Sequence, residues 1–258
     1  MQALTLPAAR GWRWLTEGFA IFRRNQLRLS LAVLGYWILM ALINSVPLLG
    51  QLVATLLIPV FSVSLMNACR LLEQGTPLPP QLLFSGFQQN LRSLLVLGAV
   101  YIAVSIAILG IVAAVDGGVL FRLVVVGQSP SENTLTSEAV MFAGQLALVL
   151  FAPLMMAYWY APVLVAWNGL PVGKALFFSF VACLRNWRAF VVYSASIAVV
   201  GALIPGMLVG LFSAMSVGGV ELVSVVLTSL IVLVLLPTLY ASFYVSYRDV
   251  FVSIDENV

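Results

Sequence analysis

Residues 174–190 read Lys-Ala-Leu-Phe-Phe-Ser-Phe-Val-Ala-Cys-Leu-Arg-Asn-Trp-Arg-Ala-Phe: apolar on one face, basic at the end, and followed at once by a long hydrophobic run. Phe180 precedes Asn186 by six residues, and Arg188 follows. The same arrangement stands twice earlier, as Phe19 with Asn25 and Arg28, and as Phe84 with Asn90 and Arg92. Each copy precedes an apolar segment of membrane length. A basic, aromatic, amphipathic stretch suits a helix lying in the headgroup layer. Three such lead-ins, each followed by apolar sequence, set out an architecture before any chemistry is considered.

Composition agrees. The chain is 62% hydrophobic and 8% charged, with a mean hydropathy of +1.10. Soluble domains carry about 25% charged residues, so a water-soluble fold is excluded. The 258 residues hold several spans of about 20 residues and little else. A formal charge of +3 is too small to point to nucleic acid. There is no His, which removes the commonest metal ligand and general base. Cys69 and Cys183 lie far apart and fit no metal spacing. Residues 1–28 read as a retained cytoplasmic lead-in, because no short apolar core with a small-residue cleavage site is present.

Six spans are expected, at about 29–46, 51–68, 93–115, 139–166, 189–212 and 222–245. The fourth, with Pro153 and Pro162, is longer than one crossing needs and is expected to tilt or kink. Residues 119–126, interrupted by Arg122, are expected to be interfacial, and 127–137 to be a loop. With the N-terminus inside, Arg10, Arg13, Arg23, Arg24, Arg28, Arg70, Arg92, Lys174, Arg185, Arg188 and Arg248 share the cytoplasmic side. Of the 12 basic residues only Arg122 falls outside. The positive-inside rule therefore places both termini in the cytoplasm.

The second span of each pair carries a proline before a polar or aromatic end: Pro59 before Arg70, Pro153 before Trp167, and Pro237 before Arg248. The expected fold is all-α: six transmembrane helices as three parallel repeats of interfacial helix plus helical hairpin. The repeats cover about 11–73, 81–168 and 172–251 within one membrane domain, 1–258. Parallel units of two crossings differ from the inverted pairs of many transporters.

These stretches carry a resemblance. Residues 175–190, with Leu-Tyr-Ala-Ser-Phe-Tyr-Val-Ser-Tyr-Arg-Asp-Val-Phe at 239–251 and Gly-Trp-Arg-Trp-Leu-Thr-Glu-Gly-Phe-Ala-Ile-Phe at 11–22, resemble a family of uncharacterised proteobacterial inner-membrane proteins. The likeness covers most of the chain and implies location and fold. More loosely, the repeated pattern is similar to the membrane domains attached to some glycerophosphodiester phosphodiesterases. That likeness is architectural, since the 258 residues hold no phosphodiesterase catalytic domain.

No nucleotide loop, zinc motif or nucleophile elbow is present, so neither an enzyme nor a cofactor or metal is expected. Asp116, Glu132, Glu138 and Glu221 fall on the outer side and read as solvated loop and helix-end residues. Every charge maps to a span end, which gives ion coupling no intramembrane group. Asn44, Gln51, Asn67 and Gln145 read as hydrogen bonds between helices. The small-residue stripe of Ser194, Ala198, Ala202, Gly206, Gly210 and Ala214 is expected to pack within the chain, with an oligomer interface as the rival. Tyr158, Trp159, Tyr160 and Trp167, and Tyr240, Phe243, Tyr244 and Tyr247, are expected to form an aromatic belt, with a ligand cage as the rival reading. Arg70, Arg185, Arg188 and Arg248 are candidate contacts for anionic lipid. Both cysteines are expected to be free thiols on a reducing side. The partners expected are the bilayer, anionic lipid, and a second copy or another membrane protein. Function reads as a non-enzymatic envelope component of the bacterial inner membrane acting through lipid or protein contacts. The alternative is a permease-like carrier of an uncharged or lipidic substrate, distinguished by a polar, membrane-depth cavity between spans.

Overall fold

The computed structural model describes residues 2–127, 138–214 and 220–252. Among them, six helical segments are long and apolar enough to cross a membrane: Gln26–Asn44, Leu49–Glu73, Leu91–Asp116, Glu138–Asn168, Trp187–Ser213 and Val220–Val250. All six expected spans are present. The expected loop at 127–137, Gly127 apart, and the turn between the last two spans lie outside the described residues.

The first lead-in is helix α1 (Arg10–Phe22), which buries Gly11, Trp14, Leu15, Gly18, Ile21 and Phe22. That spacing is one stripe of a 3.6-residue helix. Asn25 then starts α2 (Gln26–Asn44), its side chain accepting the Arg28 N–H at 3.3 Å. A tight turn through Leu48 (φ +60°) leads into α3 (Leu49–Glu73), which contains Pro59. The second lead-in is a 3-10 helix, Leu82–Gln88, shorter than its counterparts. Asn90 sits in the left-handed region (φ +49°), which Asn tolerates, and donates to the Val165 carbonyl at 2.9 Å. Helix α4 (Leu91–Asp116) follows. At its end both Asp116 carboxylate oxygens accept backbone N–H groups, of Gly118 at 2.8 Å and Leu120 at 2.7 Å. Residues Val119–Phe121 and Arg122–Val126 form a short helical turn, not a span.

Prolines shape the remaining spans. The fourth breaks into α5 (Glu138–Trp159) and α6 (Ala161–Asn168), with Pro162 in the first turn of α6. A proline has no N–H for the carbonyl four residues back and collides with it. The third lead-in, α7 (Val172–Arg185), repairs this break. Ser179 Oγ accepts the Tyr160 N–H at 2.9 Å and donates to the Met156 carbonyl at 2.8 Å. The fifth span comprises α8 (Trp187–Ala198), a π turn at Val199–Leu203, and α9 (Ile204–Ala214) with Pro205. The sixth comprises α10 (Val220–Leu230), a π turn at Ile231–Leu235, and α11 (Leu236–Val250) with Pro237. Pro237 deprives the Leu233 carbonyl of its helical donor, and Ser30 Oγ from α2 donates to it at 2.6 Å. Apolar surroundings leave such a group few other partners.

The hairpins are linked in a cycle. Helix α1 packs on α11 and α8, the 3-10 helix on α3, and α7 on α5. Each lead-in thus rests on a hairpin other than its own. The contacts are close: a Cβ on Gly18 would lie 2.5 Å from the Ser242 nitrogen, and one on Gly86 2.1 Å from the Val60 carbonyl oxygen. Ser64 Oγ accepts the Gly86 N–H at 2.9 Å. The ends close the cycle. Gln2–Ala3 pair antiparallel with Phe251–Val252. Buried Asn186 accepts the Leu6 N–H and donates to the Leu4 carbonyl, both at 2.8 Å, and also donates to the Ala182 carbonyl at 2.9 Å.

Candidate functional site

Packing is concentrated in the half of the bundle that carries the termini. Trp14, Leu29, Met66, Tyr160, Leu164 and Val245, drawn from all three hairpins, belong to one core cluster there. Toward the opposite side the spans separate, and a cavity of about 450 Å³ opens between them. Thr55, Pro59 and Ser62 of α3, Tyr101 of α4, Met155, Tyr158 and Trp159 of α5, Tyr193 of α8, and Leu239, Tyr240 and Phe243 of α11 line it. At a rise of about 1.5 Å per residue, the lining runs from about 9 Å (Tyr193) to about 27 Å (Thr55) from the span ends on the terminal face. The cavity is therefore at membrane depth and belongs to all three hairpins.

The lining is apolar and aromatic, and three of its hydroxyls are committed. Tyr158 donates to the Leu97 carbonyl at 2.7 Å, and Thr55 to the Gln51 carbonyl at 2.7 Å. Tyr193 pairs with Ser242 at 2.5 Å; Ser242 donates its own proton to the Leu239 carbonyl, so Tyr193 is the donor of the pair. Among the described residues no charged side chain lines the cavity. Such a compartment accepts hydrocarbon and rejects ions. The expected test between scaffold and carrier was a polar cavity against a closed centre; the molecule has an apolar cavity above a closed floor.

That floor is aromatic. Trp159 packs edge-on against Phe190 and Phe243, with centroids at 5.5 and 5.4 Å, and Tyr160 packs edge-on against Phe251 at 5.3 Å. Trp14 packs on Phe190 at 5.3 Å, and Trp167 on Tyr247 at 5.2 Å. The expected lipid-facing belt is thus corrected: fully buried Tyr160, with Trp159, Phe243 and Tyr247, plugs the bundle between the cavity and the terminal face.

Below the plug the charges gather. Arg248 pairs with Glu17 at 2.8 Å, with Glu73, and with Asp249 at 3.4 Å. Arg10 pairs with Glu17 at 3.2 Å and with Asp249, and Trp14 Nε1 donates to Asp249 at 3.0 Å. Tyr244 donates to Glu73. Arg24 caps the end of α3 through the Leu72 carbonyl at 3.2 Å and the Glu73 carbonyl at 2.5 Å. The four candidate arginines are not brought together as one cluster. Arg70 lies over the Trp167 ring at 5.1 Å, Arg188 over the Trp187 ring at 5.5 Å, and Arg185 donates to Thr5 at 3.2 Å. All three are exposed, whereas Arg248 is half-buried among carboxylates.

Of the polar intramembrane residues, Asn67 joins helices as expected, donating to Ser85 and accepting from Trp167 Nε1, each at 2.9 Å. Asn44 bonds only its own helix, at the Met40 carbonyl. Ser194, Ala198, Ala202, Gly206 and Gly210 face outward and not into the chain, which corrects the expected internal packing. Both cysteines are free and buried. Burial pushes the Cys183 thiol up to about 12, against a smaller lowering by its hydrogen bond with Ser179. No group of three or more acidic, His or Cys side chains could hold a metal among the described residues; Glu132 lies outside them. The cavity residues Thr55, Ser62, Tyr101 and Tyr193 were not singled out from the sequence. The available signal was Pro59 and Pro162, which line the cavity and read only as a mark of the repeat and as a cause of the kink in the fourth span.

No protein-family model and no solved structure matches the chain. A Burkholderia thailandensis protein named a probable inner membrane protein is 35% identical over 257 residues, covering 97% of this chain and 94% of that protein. Identity spread over 97% of the chain concerns the whole architecture and not one motif. With that extent of shared sequence and six membrane-length helices, the chain is a multi-pass inner-membrane protein and belongs to the family of that probable inner membrane protein.

Proposed function

We propose that this protein is a non-enzymatic component of the inner membrane that works by holding the hydrocarbon tail of a bilayer lipid in its central cavity. The observation that carries this reading is the apolar, uncharged lining of a 450 Å³ space at membrane depth, to which all three hairpins contribute. Its volume lies within the range of about 300–1,000 Å³ typical of small-ligand sites. Both termini lie in the cytoplasm in this reading, because the basic residues gather at their face. Exposed Arg70, Arg185 and Arg188 are the proposed contacts for anionic headgroups there; Arg248 has its charge matched by Glu17, Glu73 and Asp249.

The proposal includes the threefold parallel repeat over about 11–73, 81–168 and 172–251. Cyclic seating of each lead-in on another hairpin supports it, as do the small residues at those contacts: Gly18 with Ser242, Gly86 with Ser64, and Ser179 with Tyr160. A second reading, a carrier of a lipidic substrate, is favoured by the cavity's open side, where Ile58 and Met155 remain exposed.

The test is native mass spectrometry of the detergent-solubilised protein, comparing wild type with Thr55→Trp, which fills the cavity. Wild type is expected to retain one phospholipid per chain, and Thr55→Trp to lower occupancy at least about fivefold with the unfolding midpoint held. Equal occupancy in a folded Thr55→Trp variant overturns the reading.

A further inference from the structure

The central cavity has a neighbour. A crevice of about 470 Å³ lies between the fifth and sixth spans above α1, lined by Trp12 and Phe19 from below and by Val200, Ile204, Leu230 and Val234 from the sides. Trp12, Phe19, Ile204 and Leu230 are 50, 41, 48 and 53% exposed, so the crevice is open to the surrounding bilayer. The wall between the two compartments is thin. Val200 and Leu235 face the crevice, while Ile197 and Leu236, three residues and one residue away, face the cavity.

Both π turns of these two spans lie in that wall, Val199–Leu203 opposite Ile231–Leu235. Each stands just before a proline, and a π turn flanked by proline is where a helix most readily changes its winding. Across the wall the Leu235 side chain packs directly on the fifth span: a Cβ on Gly201 would lie 2.9 Å from a terminal carbon of Leu235. Beyond the Ser30 hydrogen bond to the Leu233 carbonyl, little else holds it. The first hairpin has its own cluster around Tyr36 and Phe61, and the second one around Ile108, Val112 and Ala143. In the third, neither π turn nor α10 buries any described residue. Segments with few buried contacts open at the lowest free energy.

We infer that the seam between the fifth and sixth spans is a lateral portal, through which one acyl chain of a bilayer phospholipid passes from the crevice into the central cavity. The inference rests on the reading of the cavity as a lipid-tail site. Hydrocarbon is the occupant because both compartments are apolar and share one wall. A phospholipid is its source because the crevice faces the bilayer and its α1 end lies at the headgroup layer. Arg23 follows Phe19 by one turn on the same face of α1, and its exposed guanidinium is placed for the phosphate of the lipid whose chain enters.

The test locks the seam. Gly201→Cys with Leu235→Cys, in a Cys69→Ala and Cys183→Ala background, places two thiols where the Leu235 side chain packs on Gly201 and removes the leucine carbon that would clash. The protein is reconstituted in phosphatidylglycerol and phosphatidylethanolamine vesicles, and chain-deuterated phosphatidylglycerol is added. Native mass spectrometry then follows replacement of the retained lipid by the heavier one. Oxidation is expected to slow replacement at least about tenfold, and reduction to restore it in the same sample. Replacement at an equal rate with the disulfide verified overturns the portal while leaving the cavity reading intact. Failure of the disulfide to form also overturns it, since a closed seam requires the two turns to be apposed. If neither form retains lipid, the cavity reading fails and the portal fails with it.

Discussion

Asn186 offers the sharpest perturbation, because this one buried side chain makes two hydrogen bonds that tie the N-terminal segment to the third lead-in. Its carbonyl accepts the Leu6 N–H at 2.8 Å, and its amide nitrogen donates to the Leu4 carbonyl at 2.8 Å. The Ala182 carbonyl also accepts from the Asn186 backbone N–H at 3.2 Å, so it is not orphaned when the side chain is cut. Asn186→Ala therefore removes two bonds that have no replacement within the chain. A hydrogen bond contributes about 1 kcal/mol net, and a buried group left alone costs about 1–3 kcal/mol. Leu4 is exposed and Leu6 half-buried, so water takes up part of the loss. The expected cost is about 1–3 kcal/mol, confined to the opening of residues 2–9. At 1.36 kcal/mol per decade this is a rise of about 5- to 150-fold in hydrogen–deuterium exchange at Leu4 and Leu6. Asn186→Asp separates hydrogen bonding from shape. It keeps the acceptor for Leu6 but turns the donor toward Leu4 into another oxygen, so exchange is expected to rise at least as much. Exchange within twofold of wild type in Asn186→Ala would refute the reasoning and leave the pairing of Ala3 with Phe251 as the true anchor.

Two further outcomes are expected. Gly86→Val places a Cβ about where the Val60 carbonyl oxygen already stands, so the 3-10 helix must lift off α3, at about 3 kcal/mol; an unshifted thermal midpoint in detergent would contradict this. Cys183 is expected to resist maleimide at pH 7.5 until the protein is unfolded, because its thiol titrates near pH 12 against an ordinary value of 9.0. Between those values the folded state keeps a proton that the unfolded state has lost. Stability is therefore fully present below about pH 9 and falls as pH rises toward 12, by about 1.4 kcal/mol per unit. Cys183→Ala should flatten that part of the alkaline unfolding curve; an identical slope in wild type and variant would exclude burial of the thiol as its cause.

The spans were legible because length and hydropathy alone decide what crosses a bilayer, and the break at Tyr160 followed from Pro153 and Pro162 in an overlong segment. Facing was not legible. In hydrocarbon, lipid and protein interior are equally apolar, so the residue type does not say which side it meets. That is why Trp159 and Phe243, read as belt residues, plug the bundle, and why Ala198 and Gly206, read as packing residues, face outward. The cavity was hidden for the same reason. Thr55, Tyr101, Tyr193 and Leu239 are far apart in sequence, and only the bends at the prolines bring an empty space between them. The charge cluster was half legible: Arg248 stood out by its place after Pro237, but Glu17, Glu73 and Asp249 gave no sign of converging on it.

The cyclic seating has a consequence for biogenesis. Helix α1 is made first, yet the partners that cover it come last: Trp14 bonds Asp249, 235 residues later. At a synthesis rate of about 5–20 residues per second, α1 waits on the order of 12–50 s for α11 to emerge. Its apolar stripe needs a resting place throughout, and the bilayer surface provides one at no cost in backbone hydrogen bonds. The first helix is thus a latch held open at the membrane until α11 has emerged, and it closes only once the sixth span is in place.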